Sequence, residues 1–162
     1  MKEIPLTKGQ FALVDNEDYD WLMQWKWRAS LRSQGGFYVT RSVRRGGRRA
    51  IRMHRVILDA PEGMEVDQID GNGLNNQRSN LRLATHAQNQ WNRGLSSRNK
   101  SGYKGVWYNT RPRFKNRWMA YMTINCRRIG LGHYATAQEA ALAFDKAARE
   151  HYGEFVRTNF QT

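Results

Sequence analysis

The sequence predicts an α+β protein built from two small domains, and three observations predict it. Thr85-His86-Ala87-Gln88 and Thr136-Ala137-Gln138-Glu139 are both capping boxes, each expected to open a helix. Residues 106–109, 117–124 and 127–131 alternate apolar and polar side chains, the period-two pattern of antiparallel strands with one wet face. Between the first box and those strands lies Gly94 to Ser101, a polar run with almost no apolar residues, which reads as a linker. A chain of 162 residues holds one ordinary domain or two small ones. The expected division is a first domain over 1–93, a linker over 94–100 and a second domain over 101–162.

The first fifty residues read as short strands broken by turns, with one helix expected from Asp18 to Gln24. Trp21, Trp25 and Trp27 crowd that stretch beside an apolar pattern and are assigned to the core rather than to base stacking. Phe37 to Val43 is β-branched and aromatic, and it leads into Arg44, Arg45, Arg48 and Arg49 around Gly46-Gly47. A hairpin with a basic tip fits, with the arginines gripping phosphate. A short helix over Met53 to Leu58 comes next. Then Glu65 to Gln68 reads as a strand entering the polar turn Asp70-Gly71-Asn72-Gly73, and Asn80 to Ala84 as the returning strand. The helix opened at Thr85 is expected to run to about Arg93.

In the second domain the parity argument assigns Val106, Tyr108, Trp118, Ala120, Met122, Ile129 and Leu131 to the sheet face covered by a helix. That helix carries Ala140, Ala141, Phe144, Ala147 and Ala148 and ends near Gly153. Trp107, Asn109, Arg117, Met119, Tyr121, Thr123 and Arg128 are left on the opposite, free face.

Charge narrows the partner. Lys+Arg number 27 against 14 Asp+Glu, for a formal charge of +13 and a pI near 10.5, and double-stranded DNA is the expected partner. A membrane-surface role would require a long amphipathic helix or an apolar anchor, and neither is evident. No apolar leader follows the N-terminus, and the single cysteine, Cys126, makes neither an intrachain disulfide nor a Cys-rich zinc site. A reducing, cytoplasmic setting is the expectation.

Asp67-Gln68-Ile69-Asp70-Gly71-Asn72, followed by Asn75-Asn76, Asn80-Leu81-Arg82 and Asn89, resembles the HNH homing endonucleases of phages and mobile introns. The resemblance covers about Ile4 to Arg93, including Met53-His54-Arg55, and is tightest from Asp67 to Leu83. It implies a ββα-metal core over about 64–93, with Asp67 and Asn89 holding Mg²⁺ or Mn²⁺ and Asn80 tying the hairpin loop. The spacing agrees, because a helix opened at Thr85 and packed across the hairpin would bring Asn89 to the strand of Asp67. It also implies site-selecting, metal-dependent DNA cleavage, with a monomer on DNA nicking one strand and no small-molecule cofactor beyond the metal.

The departure is at position 68, where the resemblance calls for the histidine that takes a proton from the attacking water. Gln68 has no useful basicity, so hydrolysis is expected to be strongly impaired. His86 and His54 are read as packing or phosphate-facing groups rather than substitutes, and Asp70 as a turn cap. The rival expectation is a non-enzymatic DNA-binding regulator that keeps the nuclease scaffold.

Residues 101–160 resemble the APETALA-type, ethylene-response-factor-like DNA-binding domain. The matching residues are Tyr103-Lys104-Gly105-Val106, Arg117-Trp118-Met119-Ala120, Leu131-Gly132, Thr136 to Ala141, Phe144 to Ala148, Gly153-Glu154-Phe155 and Asn159-Phe160. The resemblance implies a three-stranded sheet that enters the major groove. Arg128 matches a base-contacting arginine, while Trp107 and Asn109 stand where plant members carry arginines. With them, Arg117, Tyr121 and Thr123 are expected to face DNA, and Lys104, Arg111, Arg113 and Lys115 to hold phosphates.

Overall fold

The computed structural model describes residues 1–32, 35–43, 49–111, 115–124 and 127–160, with Arg49 described by its backbone alone. The chain divides into two compact units, Met1–Gln90 and Trp91–Thr162.

The first unit begins with β1 (Lys2–Pro5) paired antiparallel to β2 (Phe11–Val14), followed by α1 (Asn16–Leu22). α1 begins two residues before the expected Asp18. Asp18 is buried within it and forms an ion pair with Arg78 at 2.7 Å, while Asp15 accepts from the Arg78 amide at 2.7 Å. These contacts tie α1 to the segment just before Leu81. β3 (Arg28–Leu31), β4 (Phe37–Val43) and β5 (Arg49–Arg52) form an antiparallel sheet with β4 at its centre, and α2 (Met53–Ile57) follows. β6 (Glu65–Gln68) and β7 (Leu81–Ala84) form a hairpin in which Asp67 faces Arg82 and Gln68 faces Leu81, and α3 (His86–Trp91) comes directly after it. Thr85 starts α3 as its box predicts: its hydroxyl accepts from the Gln88 amide at 3.3 Å, and its own amide donates to Gln88 at 2.8 Å.

Ile4, Val14, Leu22, Trp27, Val39, Met53, Val66 and Leu81 make the core of this unit. Trp27 is buried, and its indole donates to the Leu22 carbonyl at 2.8 Å. Trp21 and Trp25 pack edge to face beside it. Their amphipathic rings close the core instead of presenting a stacking platform.

In the second unit, β8 (Val106–Tyr108), β9 (Trp118–Ile124) and β10 (Arg127–Tyr134) form an antiparallel sheet with β9 central, and α4 (Ala137–Tyr152) packs on it. Val106, Ala120, Met122, Ala140, Ala141, Phe144 and Ala148 are its buried core. Two residues assigned to the covered face are exposed, Tyr108 at 39% and Ile129 at 42%. Ile129 keeps the covered side, opposite buried Met122, but it lies on β10, an edge strand whose register shifts between Gly130 and Gly132, and the edge leaves it open. Tyr108 instead packs on Trp118, with ring centroids 4.9 Å apart.

Gly105 sits at the tightest point of this core. Its φ is +72°, and a Cβ there would lie 2.0 Å from Phe144 Cδ2. Gly105→Ala is therefore expected to destabilise the unit by about 3 kcal/mol or more, from overpacking and left-handed backbone strain together. Chemical denaturation of the full chain checks this, with α4 amide exchange as the local readout.

Candidate active site and nucleic-acid interface

Strand alternation puts Glu65 and Asp67 on one face of β6, and α3 delivers His86 and Asn89 to that face. Asn89 Nδ2 donates to Glu65 Oε2, and His86 Nδ1 lies 2.7 Å from Glu65 Oε1. These bonds hold the Glu65 carboxyl below the usual carboxylate range, the Asn89 bond contributing most. Asp67 is 2% exposed, and its Oδ2 accepts from Arg82 Nη2 at 2.7 Å and Nε at 2.9 Å across the hairpin. Arg82 compensates a charge that burial would otherwise make costly.

Of the residues named from sequence, Asn89 reaches β6 at Glu65, two residues before Asp67 on the same strand face, while Asp67 is held by Arg82. Glu65 and Arg82 belong to this cluster and were missed by sequence reasoning. The signal was present in strand parity: Glu65 lies two residues before Asp67, and Arg82 is its cross-strand partner.

Gln68 is buried, and its Nε2 donates to the Asn75 carbonyl and to Asn76 Oδ1, both at 3.4 Å. Its amide is thus engaged with the loop. Asn80 braces the same loop: its Oδ1 accepts from the Asp70 amide at 3.0 Å, and its Nδ2 donates to Asp70 Oδ1 and the Asn75 carbonyl, each at 3.0 Å. Asp70 is occupied as a turn cap, accepting from the Asn72 amide at 2.7 Å and from Asn75 Nδ2 at 2.8 Å.

His54, the histidine just upstream of the hairpin, is 2% exposed on α2. Burial pushes its imidazole down to about 3, with Arg52, Arg55 and Arg32 adding to the effect, so it stays uncharged and non-basic. In the unfolded chain a histidine takes up a proton near pH 6.5, so its contribution is complete above that pH and is lost as pH falls toward 3. Acidification from pH 7 to 4 is expected to cost the first unit about 3 kcal/mol from this group alone, and His54→Leu should remove that part of the dependence. Thermal denaturation across that pH range measures it.

The second unit carries the DNA-facing expectations. A groove of about 500 Å³ on the sheet is lined by Trp107, Asn109, Met119, Tyr121, Arg128 and His133, among others. Trp107 is 57% exposed there, and the Arg128 guanidinium lies 4.3 Å from the Tyr121 ring centroid. Thr123 is exposed and pairs with Arg128 across the strands. Asn109 is engaged in a turn, its Oδ1 accepting from the Arg111 amide at 3.0 Å. Arg117 donates to the Tyr108 hydroxyl at 3.3 Å, on the other side of the sheet's alternation.

Lys115 is exposed. Lys104, expected at a phosphate, instead donates from Nζ to the carbonyls of Trp91, Arg93 and Arg157. Burial, reinforced by Arg157, pushes this ammonium down to about 8. It is an internal staple, because three main-chain acceptors already surround it. Arg44, Arg45, Arg48 and Arg113 lie outside the described residues, as does the side chain of Arg49. No helix among the described residues is long and apolar enough to cross a membrane.

The family model for HNH endonuclease matches residues 59–91, the span that contains β6, β7 and α3. An uncharacterized HNH endonuclease of Acanthamoeba polyphaga mimivirus is 30% identical over 158 residues, covering 94% of this chain and 76% of that protein. Protein 3.8 of Escherichia phage T7 is 31% identical over 97 residues, 60% of this chain and 77% of that protein. An ethylene-responsive transcription factor of Medicago truncatula is 37% identical over 89 residues, 54% of this chain and 33% of the factor. No solved structure matches. The similarity to the mimiviral protein extends over nearly the whole chain, and the family match falls on the hairpin and helix that carry the carboxylate–amide cluster: the chain belongs to the HNH endonuclease family.

Proposed function

We propose that this protein is a site-selecting, metal-dependent DNA endonuclease of the strand-nicking kind, held at low activity by glutamine at position 68. Its second unit, on this reading, is an APETALA-type DNA-binding domain. The observation that carries the reading is the delivery of Asn89 by α3 to the β6 face that holds Glu65 and Asp67. The donors there are carboxylate and carboxamide oxygens, suited to Mg²⁺ or Mn²⁺. An ion held there would take one or two protein ligands and keep several waters.

Asp67 and Asn89 are the residues that would hold the ion. When bound, it would polarise the scissile phosphate and stabilise the leaving 3′ oxygen. Glu65 fixes the Asn89 carboxamide, Arg82 balances the buried Asp67 charge, and Asn80 keeps the loop after Gln68 in shape. Gln68 orients within that loop but accepts no proton from water, so the hydrolytic step lacks its base.

The test is the full chain on supercoiled plasmid with Mg²⁺ or Mn²⁺. Slow nicking that vanishes with chelator and in Asn89→Ala supports the reading. Nicking that persists unchanged in Asn89→Ala would refute the metal assignment. The non-enzymatic regulator is favoured by one observation, the absence of a basic group at position 68. Tight DNA binding with no nicking under any metal would select it.

A further inference from the structure

The sheet β3-β4-β5 carries an arginine pair that the proposed cleavage chemistry does not use. Tyr38 lies on the central strand β4, opposite Ser30 of β3, while Arg52 of β5 pairs with Thr40, two residues further along β4 on the same face. Arg52 therefore approaches the Tyr38 ring diagonally from one side, its guanidinium 4.8 Å from the ring centroid. Arg32, just past β3, approaches from the other neighbouring strand, at 4.4 Å. Neither arginine forms an ion pair with a carboxylate among the described residues.

The groups packed on the ring add no negative charge, and Glu65, which feels the field of Arg52, forms no ion pair with it. His54 packs edge to face on the same ring, at 5.6 Å, and is uncharged. Its Nδ1 is buried with no hydrogen-bond partner among the described residues. Arg55 is turned inward, bonded to the carbonyls of Met64, Ala60 and Pro61. What remains is a local excess of positive charge on two guanidinium groups held by one ring. Such groups meet phosphate oxygens in fork geometry, and the stacking reduces the rotamer freedom lost on binding.

The position of the pair names the ligand. Arg32 Nη1 donates to the Gly71 carbonyl at 2.9 Å, in the turn directly after Gln68, and Arg52 contributes to the field felt by Glu65. The pair thus borders the nuclease hairpin within the same unit. We propose that Arg32 and Arg52, seated on Tyr38, form a clamp for a backbone phosphodiester of duplex DNA and hold the strand beside the β6–β7 hairpin. This rests on the nuclease reading for its ligand.

The experiment measures full-chain affinity for a duplex across a salt series, for the native protein, Arg52→Gln, Arg32→Gln/Arg52→Gln and Tyr38→Leu. Each phosphate that the protein no longer neutralises should flatten the log–log salt slope by about 0.9, so the double variant should flatten it by about 1 to 2. Phosphate-ethylation interference should disappear at one or two adjacent phosphates in the same variant. Tyr38→Leu keeps both charges, so its slope should hold while affinity falls.

Arg52 makes no side-chain hydrogen bond among the described residues, so Arg52→Gln tests charge without loosening the loop that Arg32 ties. Unchanged slope and unchanged interference in both arginine variants overturn the clamp while leaving the nuclease reading standing. Absence of salt-dependent DNA binding by the native protein overturns both.

Discussion

Replacing Gln68 with histidine is expected to raise metal-dependent nicking by about 10²- to 10⁴-fold, the usual contribution of a positioned general base. An imidazole accepts a proton near neutral pH and a carboxamide does not, so on the proposed reading the change supplies the missing general base. The substitution should be tolerated. The two bonds from Gln68 Nε2 are 3.4 Å long, at the weak end of hydrogen-bond geometry. The loop they touch is independently braced by Asn80 and Asp70.

Plasmid relaxation rates at matched occupancy measure the gain, and Gln68→His combined with Asp67→Ala should return to background. A stable, DNA-binding Gln68→His variant with no gain would show that this scaffold does not present position 68 to a reacting phosphate. The regulator reading would then be preferred.

Asp145→Ala is expected to unfold the second unit at ordinary temperature. Asp145 is 1% exposed on α4, and its two oxygens accept from the Asn159 amide at 2.9 and 3.0 Å, from Asn159 Nδ2 at 2.9 Å and from the Phe160 amide at 2.8 Å. Asn159 in turn holds Lys104 at both its amide and its carbonyl. One carboxylate therefore anchors the chain end against α4 and the start of the sheet.

Hydrogen bonds to a charged group contribute about 1.5 to 3 kcal/mol each, and alanine would also leave several donors without partners. The summed loss exceeds about 4 kcal/mol, comparable with the whole stability expected of a unit this small. Hydrogen exchange on the full chain would show α4 amides losing protection while α1 and α2 keep theirs. Retained protection in α4 would mean that the anchor is dispensable. Asp145→Asn, which keeps the shape and loses the charge, should fall between the two.

The helices were legible where their ends were written in side chains. Thr136 accepts from the Glu139 amide at 3.2 Å and Thr85 from the Gln88 amide, each as its capping box requires, because a cap is a local bond among residues three apart. The sheet of the second unit was legible from alternation. Its edge was not: Ile129 pairs with buried Met122 yet is 42% exposed because it lies on edge strand β10, and which strand becomes an edge is set by pairing, not by the residues beside it. Likewise Lys104 reads as one more surface cation in a basic chain. Its three carbonyl partners come from segments 11 to 53 positions away, so only folding reveals that it is internal.

By itself, then, the sequence determined the starts of the two capped helices, α3 and α4, the alternation of the second sheet and the residue types of the β6–β7 hairpin. These depend on periodicity, capping and spacing, all of which act over short stretches of chain. The tertiary structure alone decided which side chains share a face and which charges are already answered: Glu65 against Asn89, Arg82 on Asp67, Arg32 and Arg52 on Tyr38. The physical reason is that electrostatics and burial depend on distance in space, and neighbours brought together from remote positions leave no local pattern to read.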